Sequence, residues 1–220
     1  MKFDTSSQIT TELVHARVSA YYTAKLREHG PTPKGVDWRD QESQEERFAN
    51  LMKVVEDDSS GTLVELGCGY GALYDYLRRL NLNFTYHGYD ISEEMVAAAK
   101  NLHAGASAAT FEVGGVPRER SDYCVASGIF NVRLDTSIDD WRRYIFSTVE
   151  LMAAVADKGF AFNCLTSFSD LDRQEPRLFY GDPGEILNHC IARYGRLVSI
   201  LHGRPPYEFT VLVRHGSPAK

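Results

Sequence analysis

The stretch Thr62-Leu63-Val64-Glu65-Leu66-Gly67-Cys68-Gly69-Tyr70-Gly71-Ala72-Leu73 constrains this chain more than any other, because an apolar strand breaks into glycines and restarts as a helix. Glycines at alternate positions let the backbone turn tightly and lie against a ligand, where a Cβ would block the approach or the positive φ. Strand, glycine loop and helix start together read as a nucleotide site. Glu65 is the unusual member. A carboxylate near the end of a buried strand is costly unless hydrogen bonds, or a cationic or hydroxyl-rich ligand, compensate it.

From Gly61 onward strands and helices alternate. Strands are read over residues 62–66, 84–90, 108–113, 122–127 and 159–165, and helices over 72–82, 92–103 and within 138–157. A further helix over Pro183–Tyr194 has Asp182 as its cap. That rhythm implies a parallel sheet, and no helix is read between Val113 and Asp122. Residues 196–202 and 208–214 read as two strands joined by Gly203-Arg204-Pro205-Pro206-Tyr207, a joint short enough only for an antiparallel hairpin. The fold expected is α/β, a mostly parallel seven-stranded sheet with one reversed strand near its edge.

Ahead of the sheet, Leu13, Ala16, Val18, Tyr21, Tyr22 and Leu26 recur at helical spacing over residues 9–29. Pro31 and Pro33 then force an extended connector over 31–40, too rich in Pro and Gly for regular structure. Ser43-x-x-Glu46 has the form of a capping box for a second helix with Phe48, Leu51, Met52 and Val55 on one face. A single domain over residues 1–220 is expected, with a helical lid at 1–60 and an α/β core at 61–214.

Composition excludes several function classes. Of the 220 residues, 43% are hydrophobic and 25% charged, the balance of a globular protein. No apolar run approaches the roughly 18–20 residues that span a bilayer. Met1-Lys2-Phe3-Asp4-Thr5-Ser6-Ser7-Gln8 lacks the apolar segment of a secretory leader, so a cytoplasmic protein without a membrane partner is expected. The net charge of −6 weighs against nucleic acid. Cys68, Cys124, Cys164 and Cys190 are widely spaced, with no histidine at zinc-site spacing, so no metal or disulfide is expected.

The glycines leave the cofactor open. Gly67-x-Gly69-x-Gly71 also satisfies the dinucleotide pattern Gly-x-Gly-x-x-Ala through Ala72, and an NAD(P)-dependent oxidoreductase is one alternative. Asp90, 19 residues after Gly71, is the acid that would accept hydrogen bonds from ribose hydroxyls in either class.

Val64-Glu65-Leu66-Gly67-Cys68-Gly69-Tyr70-Gly71, Tyr89-Asp90-Ile91-Ser92 and the terminal hairpin resemble class I S-adenosylmethionine-dependent methyltransferases over roughly residues 61–214. That family carries an acid two positions before the first glycine, as Glu65 is here, and its Rossmann-like sheet ends in a reversed strand. The resemblance implies methyl transfer from S-adenosylmethionine, releasing S-adenosylhomocysteine. It implies that Gly67, Cys68, Gly69 and Gly71 lie against the methionine part of the cofactor and that Asp90 holds both ribose hydroxyls. Glu65 would order the loop and the amino end, Ile91 and Met95 would pack on adenine, and Ser127 and Gly128 would border the sulfonium. The family commonly reads the adenine amino group with an acid in a Gly-Asp pair after the third strand. Gly114-Gly115 stands there instead, leaving Glu112 or main-chain groups for the task. A non-catalytic subunit that binds the cofactor is the other alternative, since the loop is intact and no base is obvious.

In an open parallel sheet, ligands bind beyond the carboxyl ends of the strands. Asn131, Arg133, Thr166 and Asp170, and His202 and Tyr207 of the hairpin, are therefore candidates around the acceptor. The N-terminal helices offer Tyr22, His29 and Trp38. Methyl transfer draws much of its rate from alignment and needs a base only where the acceptor must lose a proton. His202 and His29 are the candidate bases, and Asp170 would orient a hydroxyl or amine. Asn131 and Arg133 would bind a polar or carboxylate-bearing acceptor, and Tyr22 and Trp38 would wall a planar or cationic one. No Asn-Pro-Pro-Tyr or Asp-Pro-Pro-Tyr element follows the fourth strand, and Pro205-Pro206-Tyr207 lies in the hairpin. A small-molecule acceptor, methylated on oxygen or nitrogen, is the expectation. The oligomeric state stays open, a homodimer included.

Overall fold

A computed structural model describes residues 5–216 of the protein. Met1 to Asp4, part of the stretch read for its lack of a leader, and the side chain of Ile9 lie outside the described residues. Seven strands form one sheet: β1 (Ser60–Leu66), β2 (Asn83–Asp90), β3 (Ala109–Val113), β4 (Ser121–Ala126), β5 (Ala156–Leu165), β6 (Val198–His202) and β7 (Glu208–Arg214). Their spatial order is β3-β2-β1-β4-β5-β7-β6, and β7 alone runs antiparallel to its neighbours. The direction of strand order reverses between β1 and β4, and at such a point the diverging loops leave a crevice.

Alternation along the strands builds a core on each face. Val64, Leu66, Cys124, Ala126, Phe160 and Phe162 pack under α5 (Ile138–Val155) and α6 (Pro183–Tyr194). Leu63, Tyr86, Tyr123, Val125 and Ala161 pack under α2 (Gln41–Leu51), α3 (Ala72–Arg79) and α4 (Glu93–Leu102). Ser92 caps α4, accepting from Met95 N, and Asp182 caps α6, accepting from Gly184 N and Glu185 N.

Three local expectations are corrected. α2 is capped by Asp40, whose carboxylate accepts from Ser43 N at 2.8 Å, so Ser43 lies inside the helix and the Ser43/Glu46 capping box is not formed. The connector before it contains a 3-10 turn over Pro33–Val36, because Pro33 at the first turn has its φ already set for one. α3 stops at Arg79, three residues early, where Asn81 turns to φ +56° and Leu82 N bonds back to Leu77 O.

The first helix, α1 (Thr5–His29), lies against the carboxyl end of the sheet. Ser19 Oγ donates to Ile91 O, Thr23 Oγ1 shares a hydrogen bond with Ser92 Oγ, and Arg17 pairs with Asp135 at 2.9 Å. Among the described residues, no helix is long and apolar enough to cross a membrane.

Candidate active site

The crevice at the strand reversal holds a cavity of about 280 Å³. Its floor is the turn from β1 into α3. Gly67 N and Cys68 N both donate to Tyr89 O, and Gly69 N donates to Asp90 Oδ2 at 2.9 Å. Gly67 sits at φ +72°, and a Cβ there would come within 2.2 Å of Ile129. The loop is thus wedged between β2 and the segment after β4, which only glycine permits.

Two acids face this floor. Asp90 ends β2 and accepts from Ser92 N at 2.8 Å through its other oxygen; burial raises its pKa against those two hydrogen bonds. Glu65, 2% exposed, accepts from the Tyr86 hydroxyl, and burial pushes its carboxyl up to about 8 with that hydrogen bond opposing. Neither acid is ion-paired among the described residues.

Trp38 covers the far side. A Cβ built on Gly128 would fall 2.6 Å from its indole, so the ring lies flush on the chain after β4. The Arg47 guanidinium sits 4.2 Å from the ring centroid and donates to Glu208 at 2.7 Å. The Arg47 and Glu208 side chains are 11% and 1% exposed, so this ion pair anchors the indole from within the protein. The mouth is crossed by a polar network from three segments. Asp37 accepts from the Tyr21 hydroxyl and pairs with Lys25 at 3.0 Å and Arg177 at 3.5 Å. Arg177 also donates to Tyr21 at 2.8 Å and Glu175 at 2.8 Å.

Glu65, Gly67, Cys68, Gly69, Asp90, Ile91, Met95, Ser127 and Gly128 line the cavity, as do Tyr22, Trp38 and Asn131. The other sequence candidates do not. Gly71 is the left-handed N-cap of α3, and its missing Cβ leaves room for His103. Glu112 lies 3.5 Å from Arg118 instead. His202, on the edge strand β6, is three strand positions from β4 and shares a hydrogen bond with Thr166 Oγ1 at 3.0 Å. Thr166 is fully buried in that contact. Asp170 accepts from Tyr207 on the surface, and His29 lies beside Glu28 at the end of α1. Arg133 donates to the carbonyls of Thr136, Pro176 and Leu178, a bracket that ties the loop before α5 to the segment between β5 and α6. None of the three expected catalytic groups reaches the cavity.

The sequence reading missed His15, Asp37, Tyr144, Glu175 and Arg177, all of which line it. His15 had a faint signal, lying between Val14 and Val18 on the buried side of α1. Arg177 had none, because its role comes from a partner 156 residues away.

A family model described as a methyltransferase domain matches residues 64–159. Rv1506c of Mycobacterium tuberculosis, named as a methyltransferase, is 42% identical over 166 residues, which are 76% of this chain and 100% of that protein. Among solved structures, the DhpI–SAH complex superposes with a TM-score of 0.61 at 17% identity, covering 93% of this chain and 98% of that one. Magnesium protoporphyrin IX methyltransferase of Synechocystis PCC 6803 with bound SAH gives 0.60 at 16% identity, over 80% of this chain and 84% of that one. At those identities the two structures speak to the fold.

Proposed function

The chain belongs to the S-adenosylmethionine-dependent methyltransferases, and on that premise we propose that it methylates a small, uncharged acceptor on oxygen or nitrogen. The cavity's chemistry suits the cofactor. Ser127 Oγ is a buried polar atom with no protein partner at its wall. The loop from Gly67 to Gly69 turns main chain toward the cavity, and Glu65 and Asp90 offer two acids that no cation pairs among the described residues. Bound there, S-adenosylmethionine supplies a methyl group already activated by its sulfonium.

The protein's own groups then have to bind, align and exclude water. Asp90 accepts the ribose hydroxyls with the lone pairs its main-chain donors leave free. The loop from Gly67 to Gly69 carries the methionine part, with Glu65 toward its ammonium. Trp38, held by Arg47 and Glu208, closes the chamber over Gly128. Tyr22, Ile129, Val132 and Leu178 give the acceptor an apolar and aromatic wall.

The observation that carries the acceptor's charge is the pairing of Arg177. Its guanidinium is already shared by Glu175, Asp37 and Tyr21, so among the described residues the wall has no free cation for a carboxylate. His202, His29 and Asp170 are outside, and alignment rather than a base supplies the rate. An amine would attack with its lone pair and lose its proton to water afterwards, and a neutral phenol would pass its proton to water as its oxygen takes the methyl group. The volume of about 280 Å³ falls just under the roughly 300–1,000 Å³ of ligand pockets. We take the network at Asp37 as the part that yields when cofactor and acceptor enter together. A small acceptor is supported by the magnesium protoporphyrin IX enzyme, whose name states one.

The test is release of S-adenosylhomocysteine from S-adenosylmethionine with a panel of phenols and aryl amines, each beside its carboxylated counterpart. Turnover is expected with neutral members, at a kcat/KM about tenfold or more above the carboxylates, the effect of one uncompensated charge at the wall. A preference for carboxylates, or transfer to protein or nucleic acid alone, would overturn the reading.

A further inference from the structure

The adenine end of the cavity lacks the side chain expected of it, and a residue from the far end of the chain fills the gap. Gly114 and Gly115 follow β3 and line the cavity with their main chain. A Cβ built on Gly115 would lie 2.6 Å from His15 Cε1, 3.3 Å from Nε2 and 3.4 Å from Nδ1. The imidazole occupies the space where a side chain at 115 would stand. Tyr144 meets the ring edge-on with centroids 5.7 Å apart, which fixes its orientation. Neither ring nitrogen of His15 has a hydrogen-bond partner among the described residues.

Where the base must lie follows from the chemistry of adenosine and rests on the placement of the ribose at Asp90. The methionine part leaves the ribose at one end and adenine at the other. The glycine loop takes the first direction, so adenine extends the opposite way, between Ile91, Met95, Gly114, Gly115 and His15. Ile91 and Met95 offer apolar surface for a ring face. Among these five residues, His15 is the only one with a polar side chain.

We propose that His15, carried by α1, reads the 6-amino edge of the cofactor's adenine by accepting a hydrogen bond from it. Burial lowers the imidazole's pKa, which keeps the ring neutral and one nitrogen free to accept. A purine with hydrogen in place of the 6-amino group has no donor at that edge and loses this bond. Because the reader sits on α1, cofactor binding also ties the N-terminal helix down over the site.

The experiment is calorimetric titration of the full chain with S-adenosylhomocysteine and with its 6-deamino analogue, in which hydrogen replaces the amino group. The wild-type protein should prefer the adenine compound. His15→Phe, which keeps a ring against Gly115 and removes the acceptor, should weaken S-adenosylhomocysteine by roughly three- to tenfold, the range of one neutral hydrogen bond. It should leave the 6-deamino compound within about twofold on the same scale. His15→Gln, which restores an acceptor oxygen, should recover most of the preference. Equal loss for both compounds in His15→Phe, or no preference in the wild type, would overturn the proposal. Failure of the ribose placement is separately visible, since Asp90→Ala would then leave both affinities unchanged.

Discussion

The two sides of the cavity are built in opposite ways. The cofactor side is written in short runs of sequence at strand ends: Glu65 to Gly69, Asp90 to Met95, and Ser127 to Gly128. Each run is placed by a strand paired on both sides within the sheet, so its main chain and its ligand-facing atoms move as one body. The acceptor side is assembled from α1, the connector at Asp37 and the loop at Arg177, joined by side-chain contacts that span up to 156 residues. The first side is a rigid template, and the second is a polar clasp that can part without disturbing the sheet. On the proposed reading, specificity for the cofactor belongs to the strand ends, and specificity for the acceptor to the clasp.

If that division holds, substitutions on the two sides separate. The largest effect should come from Asp90→Ala, which removes a buried acceptor from the template and weakens S-adenosylhomocysteine binding by roughly 1–3 kcal/mol in a calorimetric titration. Unchanged affinity in a folded variant would remove Asp90 from the site. Arg177→Met opens the clasp. It should raise the acceptor's KM several-fold, about 1 kcal/mol, while cofactor affinity stays within twofold. A matched loss of cofactor affinity would merge the two sides into one.

A subtler prediction concerns Glu65. With its pKa at about 8 in the free protein against 4.5 for an ordinary glutamate, the acid is protonated at pH 6–7, and the protein loses stability through this group as pH rises from about 4.5 to about 8. An ammonium brought beside it lowers the pKa, so binding should release about one proton near pH 7. Titrations in buffers of different ionisation enthalpy measure this release, and Glu65→Gln should abolish it. No release in the wild type would place the ammonium elsewhere. The smallest effect is expected from His202→Ala, which should leave kcat/KM within about twofold, because this residue is bonded to Thr166 at the far edge of the sheet. A sharp loss of turnover would return His202 to the chemistry.

The same contrast explains what could be read in the chain itself. The fold and the cofactor side were legible because the alternation of strand and helix, the glycine run and the acids Glu65 and Asp90 act through neighbours in sequence. Tyr22 and Trp38, read as aromatics of the N-terminal segment, do line the cavity. His202 was misread because a hairpin near the end of the chain looks close to the other strand ends, whereas the order β4-β5-β7-β6 carries it to the sheet's edge, and Asp170, after β5, is held at the surface by Tyr207. Arg133 looked like a ligand for an anion, and its donors go instead to three main-chain carbonyls. Asp37, Glu175 and Arg177 were invisible because a clasp exists only once distant segments have packed.

The most direct test is a crystal structure with S-adenosylhomocysteine bound. The ribose hydroxyls should lie within about 3 Å of the Asp90 carboxylate. The sulfur should rest beside Gly128 beneath Trp38. A cofactor whose ribose sits away from Asp90, or whose sulfur points away from the chamber that Tyr22, Trp38 and Leu178 enclose, would contradict the assignment of both sides.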